Sequence, residues 1–137
     1  MPKKDLTELL KIGFRHTGDF FLKGPKLQFS LTNHKNSRGS YALVVNEKVR
    51  YIGVTKNTLY ARMNGYKNPG PSQETNKRIK PRIAQAHEVQ IFFLPENEIA
   101  EFVTVIRSNE IEREIPTDLN TFERFLISMF KPEWNRR

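Results

Sequence analysis

The sequence predicts an α+β fold: a three-stranded antiparallel sheet flanked by helices, preceded by an N-terminal extension. Three observations predict it. Residues 40 to 46 and 48 to 54 are rich in Val, Ile and Tyr around Asn46-Glu47-Lys48, a hairpin signal. Val89 to Leu94 reads as a third strand closed by Pro95. Apolar residues at helical spacing mark a short helix near 58 to 63 and a longer one from about residue 119 to 130. A chain of 137 residues suits a single core, burying roughly 65 to 70% of the surface exposed by the unfolded form.

In order, Leu6, Leu9 and Leu10 with Gly13 behind them predict a short N-capped helix over 5 to 12. Residues 14 to 38 hold the apolar anchors Phe14, Phe20, Phe21, Leu22, Leu27, Phe29 and Leu31, but Gly18, Gly24 and Pro25 interrupt them. Residues 1 to 38 therefore read as an extension packed on the core, with one strand at 27 to 31 and a basic loop from Asn33 to Arg38.

The hairpin register decides whether Tyr41 and Tyr51 share a face, because side chains alternate along each strand. A three-residue loop at 46 to 48, pairing Val45 with Val49, puts them together and sets Tyr41 opposite Gly53. A two-residue loop at 46 and 47 sends them to opposite faces. Beyond the hairpin, Asn57 or Thr58 can cap the helix holding Leu59 and Met63, which should end near Gly65. Asn68 to Ser72 is a loop, and Thr75 can cap a helix with Ile79, Ile83 and Ala86 that Pro81 should kink or restart. Ile99, Phe102, Val103 and Ile106 fit a helix over 97 to 107, although 102 to 106 also has strand propensity. Asp118 or Asn120 caps the last helix, whose stripe is Leu119, Phe122, Phe125, Leu126, Met129 and Phe130; Pro132 stops it at Lys131.

The net charge of +8 is unevenly spread. Residues 1 to 82 hold 17 Lys and Arg against 5 Asp and Glu, a balance of +12, whereas residues 83 to 137 hold 6 against 10, a balance of −4. The tyrosine motifs lie in the basic part, so a polyanion, nucleic acid above all, is the expected partner. The absence of cysteine removes disulfides and thiolate metal sites. No run approaches the roughly 18 apolar residues of a membrane span, and a soluble cytoplasmic protein with no membrane partner is expected.

Hydrolysis of a phosphodiester needs an activated water, cationic stabilisation of the phosphorane and help for the leaving oxygen. The chain offers a matching set: Tyr41 and Tyr51 to position or deprotonate water, Arg62 for a bidentate phosphate contact, and Glu123 for a divalent metal. A lone carboxylate suits Mg²⁺, which keeps several waters, with Mn²⁺ able to substitute. His16, His34 and His87 are scattered and give no zinc site. Taken singly, each of these residues has an ordinary structural reading, such as sheet packing for a hairpin tyrosine. It is the ordered combination that points to chemistry.

That combination resembles the GIY-YIG nucleases. Their first motif corresponds to Gly39-Ser40-Tyr41 and their second to Tyr51-Ile52-Gly53; their helix arginine matches Arg62, their metal-binding glutamate Glu123 and their late asparagine Asn135. The resemblance implies a β-β-α-β-α catalytic domain over 39 to 137 that cuts DNA with one divalent ion. It implies Tyr41 as general base, Tyr51 as support for the water, Arg62 on the scissile phosphate, Glu123 on the metal and Asn135 as a brace. Tyr66 stands where some members carry a His or Tyr one helical turn after the arginine. Many relatives place lysine immediately after the second motif; this chain has Val54, with Lys56 nearby.

Between Gly65 and Arg82, amides and cations are mixed: Lys67, Gln73, Asn76, Lys77, Arg78, Lys80 and Arg82. Such a set can read base edges as well as hold phosphates, so with Lys56 it is the expected DNA-binding surface. The small size is similar to restriction or phage-type enzymes. A restriction-type endonuclease acting on double-stranded DNA as a homodimer, with residues 1 to 38 at the interface, is the first expectation. A noncatalytic nucleic-acid-binding module and a phage or repair-type nicking nuclease are the alternatives.

Overall fold

The computed structural model describes residues 2–99 and 118–136, with side chains from Asp5 onward. The elements are α1 (Pro2–Ile12), β1 (Arg15–Lys23), β2 (Lys26–Leu31), β3 (Gly39–Val45), β4 (Lys48–Thr55), α2 (Leu59–Lys67), α3 (Glu74–Ala86), β5 (Glu88–Pro95), α4 (Leu119–Phe130) and a 3-10 turn at Glu133–Asn135. The class is α+β. The strands form one antiparallel sheet in the order β2-β1-β5-β3-β4. One face packs Tyr41, Leu43 and Tyr51 against Leu59, Met63 and Tyr66 of α2 and Ile79 and Ile83 of α3. The other packs Ala42, Val44, Val49 and Ile52 against Leu9 and Ile12 of α1 and Leu119, Phe122 and Leu126 of α4.

Among the described residues the sheet has five strands and not three, because residues 15 to 31 form a hairpin within it. The residues that read as breakers have other roles. Gly24-Pro25 is the two-residue turn between Lys23 and Lys26, with Gly24 at φ +61°, which such turns require at their first position. Gly18 lies beside a register shift in β1, where a side chain would overlap the Ser30 carbonyl oxygen. Phe20 is fully buried in the same cluster as the tyrosines, so the N-terminal segment helps to build their surroundings.

The β3–β4 hairpin also departs from expectation. Val45 pairs with Lys48, leaving a two-residue loop in which Asn46 and Glu47 both have positive φ, the type I′ pattern. That loop alone would separate the tyrosines. However, the ladder shifts between the pairs Val44–Val49 and Leu43–Tyr51, leaving Arg50 as an extra residue in a β-bulge. The shift restores the other register: Tyr41 faces Gly53, and Tyr41 and Tyr51 lie on one face.

Thr58 caps α2 by accepting from the Ala61 N–H at 3.0 Å, and the helix continues past Gly65 to Lys67. Helix α3 starts one residue before Thr75 and runs through Pro81 without restarting. Asp118 caps α4 through the Thr121 N–H at 2.9 Å, and Lys131 ends it in the left-handed conformation. Most of the helix expected over 97 to 107 lies outside the described residues. Among the described residues, no helix is long and apolar enough to cross a membrane.

Candidate active site

Three tyrosines meet under the sheet. The ring centroids of Tyr41, Tyr51 and Tyr66 are 6.2 to 6.3 Å apart, with Tyr66 edge-on to the other two. Strands β3 and β4 supply Tyr41 and Tyr51; α2 supplies Tyr66, which Phe20 of β1 supports from behind at 6.4 Å. Tyr41 and Tyr66 are fully buried, whereas Tyr51 keeps 7% of its surface exposed. Gly53 is what admits the Tyr41 phenol, since any side chain there would overlap its ring carbon and oxygen. Ser40 donates to the Gly53 carbonyl at 3.0 Å and steadies that strand crossing.

Arg62 and Tyr66 stand four residues apart on α2 and therefore share a face. Arg62 donates from Nε to the Tyr41 hydroxyl at 2.9 Å, from one terminal nitrogen to Tyr66 at 3.0 Å and from the other to Asn76 Oδ1 at 2.8 Å. The Tyr41 and Tyr66 oxygens are 2.5 Å apart. A guanidinium has five N–H donors, so two remain, one on each terminal nitrogen, the pair suited to bidentate contact with a phosphate. Arg62 also lines an open pocket with Ser72, Gln73, Glu74 and Thr75, so an outside ligand can reach it.

Burial pushes the Tyr41 phenol well above the ordinary range, against the opposing pull of Arg62. Burial and the neighbouring phenols do the same to Tyr66. Burial disfavours the Arg62 charge, but the phenol oxygens more than offset this and keep it protonated. The free protein thus holds two neutral phenols against a fixed cation.

Glu123 approaches from α4, on the other side of the sheet, and meets the site at the outermost strand, β4. Burial raises its pKa, while Arg62, a hydrogen bond from the Val54 backbone, Arg124 and Lys56 act in the opposite sense. The carboxylate therefore lies within the electrostatic reach of Arg62. Asn135 uses both ends of its amide on Ile52, accepting from its N–H and donating to its carbonyl at 2.9 Å each. It touches backbone and acts as a brace. Among the described residues, no group of three or more His, Cys, Asp or Glu is placed to hold a metal. The lone Glu123 carboxylate, with phosphate and water completing the shell, fits a hydrated oxygen-seeking cation such as Mg²⁺ better than zinc.

No protein-family model and no curated protein matches the chain. Solved structures do. A glutamate-to-alanine mutant of bacteriophage T4 EndoII aligns over 98% of this chain and 99% of that one, with a TM-score of 0.64 and 15% identity. The restriction endonuclease HPY188I, in complex with product DNA, aligns over 80% of this chain and 82% of that one, with a TM-score of 0.54 and 14% identity. The chain has their fold.

The residues expected to contact DNA separate into two groups. Lys56 is exposed near Glu123, Lys67 is half-buried beside a pocket that also includes Lys26 and Lys80, and Gln73 is exposed. Lys77 is exposed and donates to the Pro71 carbonyl at 2.5 Å. Asn76 and Arg78 are engaged within the protein. Asn76 is 2% exposed, with its oxygen on Arg62 and its nitrogen on Gln73 at 3.0 Å, so it positions the arginine and has no free edge for a base. Arg78 turns to the C-terminal segment, donating to the carbonyls of Trp134 at 2.7 Å and Arg136 at 3.1 Å. Sequence reasoning missed the positioning role of Asn76, because a helix cap explains Thr75-Asn76 equally well. It also assigned Ser40 no role of its own; a small polar residue inside an apolar strand was the available signal.

Proposed function

We propose that the protein is a divalent-metal-dependent DNA endonuclease of the GIY-YIG type, restriction-like and acting on double-stranded DNA as a homodimer. The observation that carries this reading is Arg62: it is fastened to two phenols and an amide while two N–H donors remain for a phosphate. In this reading the scissile phosphate docks on those donors, and Tyr51, the accessible phenol, orients the attacking water. Tyr41 is the base, and Arg62 is the group that lowers the cost of its ionised form. Tyr66 fixes both. Asn135 holds β4 so that Tyr51 and Gly53 keep their places. A divalent ion on Glu123, Mg²⁺ or Mn²⁺, would neutralise charge on the phosphate and the leaving oxygen when bound.

The test is to incubate supercoiled and defined-sequence duplex DNA with protein and Mg²⁺, beside an EDTA control and Glu123→Ala. Cleavage is expected to vanish in both controls while the variant still binds DNA. A noncatalytic DNA-binding module is the second reading, favoured by the complete burial of Tyr41 and Tyr66 and by Val54. Binding without cutting under any divalent ion would establish that reading instead.

A further inference from the structure

Away from the tyrosines, α3, the β4 bulge and the 3-10 turn enclose an open pocket of about 740 Å³ lined by Arg50, Arg78, Arg82, Gln85, Glu133 and Trp134 among others. Its lining includes neither Arg62 nor any of the three tyrosines, and it meets their core cluster at Trp134. We propose that this pocket binds a phosphate group.

Three features of its arginines carry the inference. Arg50 is the extra residue of the bulge: without it, Val44–Val49 and Leu43–Tyr51 would follow one another in a regular ladder, so strand pairing does not need it. Bulges re-aim side chains, and this one delivers a guanidinium to the pocket and to Glu133. Arg78 is held by the carbonyls of Trp134 and Arg136, which fix its position without cancelling its charge. Arg82 follows four residues later on the same helix face, where like charges repel, and it has no ion pair among the described residues. Among the described residues Glu133 is the only acid in the lining, and Arg50 already pairs with it. Among those residues, two cations are left without a countercharge in a cavity large enough for a phosphate. Only the source of that phosphate, a DNA strand beside the cleavage site, rests on the function proposed above.

Trp134 is the only tryptophan in the chain, so its fluorescence reports on the pocket. The experiment titrates the full chain, in EDTA, with a short DNA duplex and separately with inorganic phosphate. Trp134 emission should change on titration. Arg82→Gln should weaken the responding ligand about 3- to 10-fold, and for DNA it should reduce the slope of log K against log salt by about 1. Arg82→Lys should retain most of the affinity, and Gln85→Glu, which adds a carboxylate to the wall, should weaken binding without touching an arginine. A response to duplex identifies a strand phosphate, and a response to inorganic phosphate alone identifies a small ligand. No response to either, or unchanged titrations in Arg82→Gln and Gln85→Glu, overturns the proposal. DNA cleavage with no Arg82 effect removes the pocket and leaves the nuclease, whereas an Arg82 effect with no cleavage does the reverse.

Discussion

Gly53 stands opposite Tyr41 across the β3–β4 ladder, and a methyl group at position 53 would occupy the space of the phenol ring and its hydroxyl. The phenol cannot retreat, because Arg62 and Tyr66 hold its oxygen from the far side. Gly53→Ala should therefore cost about 1–3 kcal/mol by overpacking and should abolish cleavage by displacing Tyr41. Urea denaturation and the DNA-cutting assay read the two effects.

The hydroxyls of Tyr41 and Tyr66 form a coupled pair, each also receiving a hydrogen bond from Arg62. Tyr41→Phe and Tyr66→Phe should each destabilise by about 0.5–1.5 kcal/mol. The double variant should lose less than the sum, because either change alone already removes their shared bond. Urea midpoints for the four proteins of the cycle provide the check; strict additivity would contradict the geometry.

Both phenols have pKa values raised by burial. The folded protein therefore keeps protons that the unfolded chain releases above about pH 10. Stability should be unaffected by these groups below that pH and should fall as pH rises above it, with a slope of up to about 2.7 kcal/mol per pH unit while both remain protonated in the fold. Denaturant melts between pH 8 and pH 11 would show this, and Tyr66→Phe should make the fall shallower.

Asn135 satisfies an N–H and a carbonyl of Ile52 at once. Asn135→Ala should cost about 1–3 kcal/mol and speed hydrogen exchange at the Ile52 amide. Asn135→Asp can still accept from that amide but cannot donate to the carbonyl, so it should rescue the exchange rate only in part.

Much of the candidate site's geometry was legible because its residues recur at positions set by secondary structure. Tyr41 and Tyr51 lie in a hairpin whose composition announces it, Arg62 and Tyr66 are one helical turn apart, and the stripe around Glu123 has clear periodicity. What escaped was set by backbone geometry or by distant contacts. Gly18, Gly24 and Pro25 look alike as strand breakers and as a close crossing with a turn; only the pairing of β1 with β2 and β5 tells them apart. The Arg50 bulge is invisible to alternation, because it changes register in the middle of a strand. The face reached by Asn76 depends on how α3 packs against α2, where Gly65 allows close approach to its amide.

The brace on Ile52 has a further consequence. Among the described residues β4 ends the sheet, and a terminal strand offers its unpaired amides and carbonyls to any other chain that can align with it. Asn135 covers these groups at Ile52. The residue that braces β4 thus also caps part of the sheet's open edge, and substitutions of Asn135 should be judged by solubility as well as by turnover.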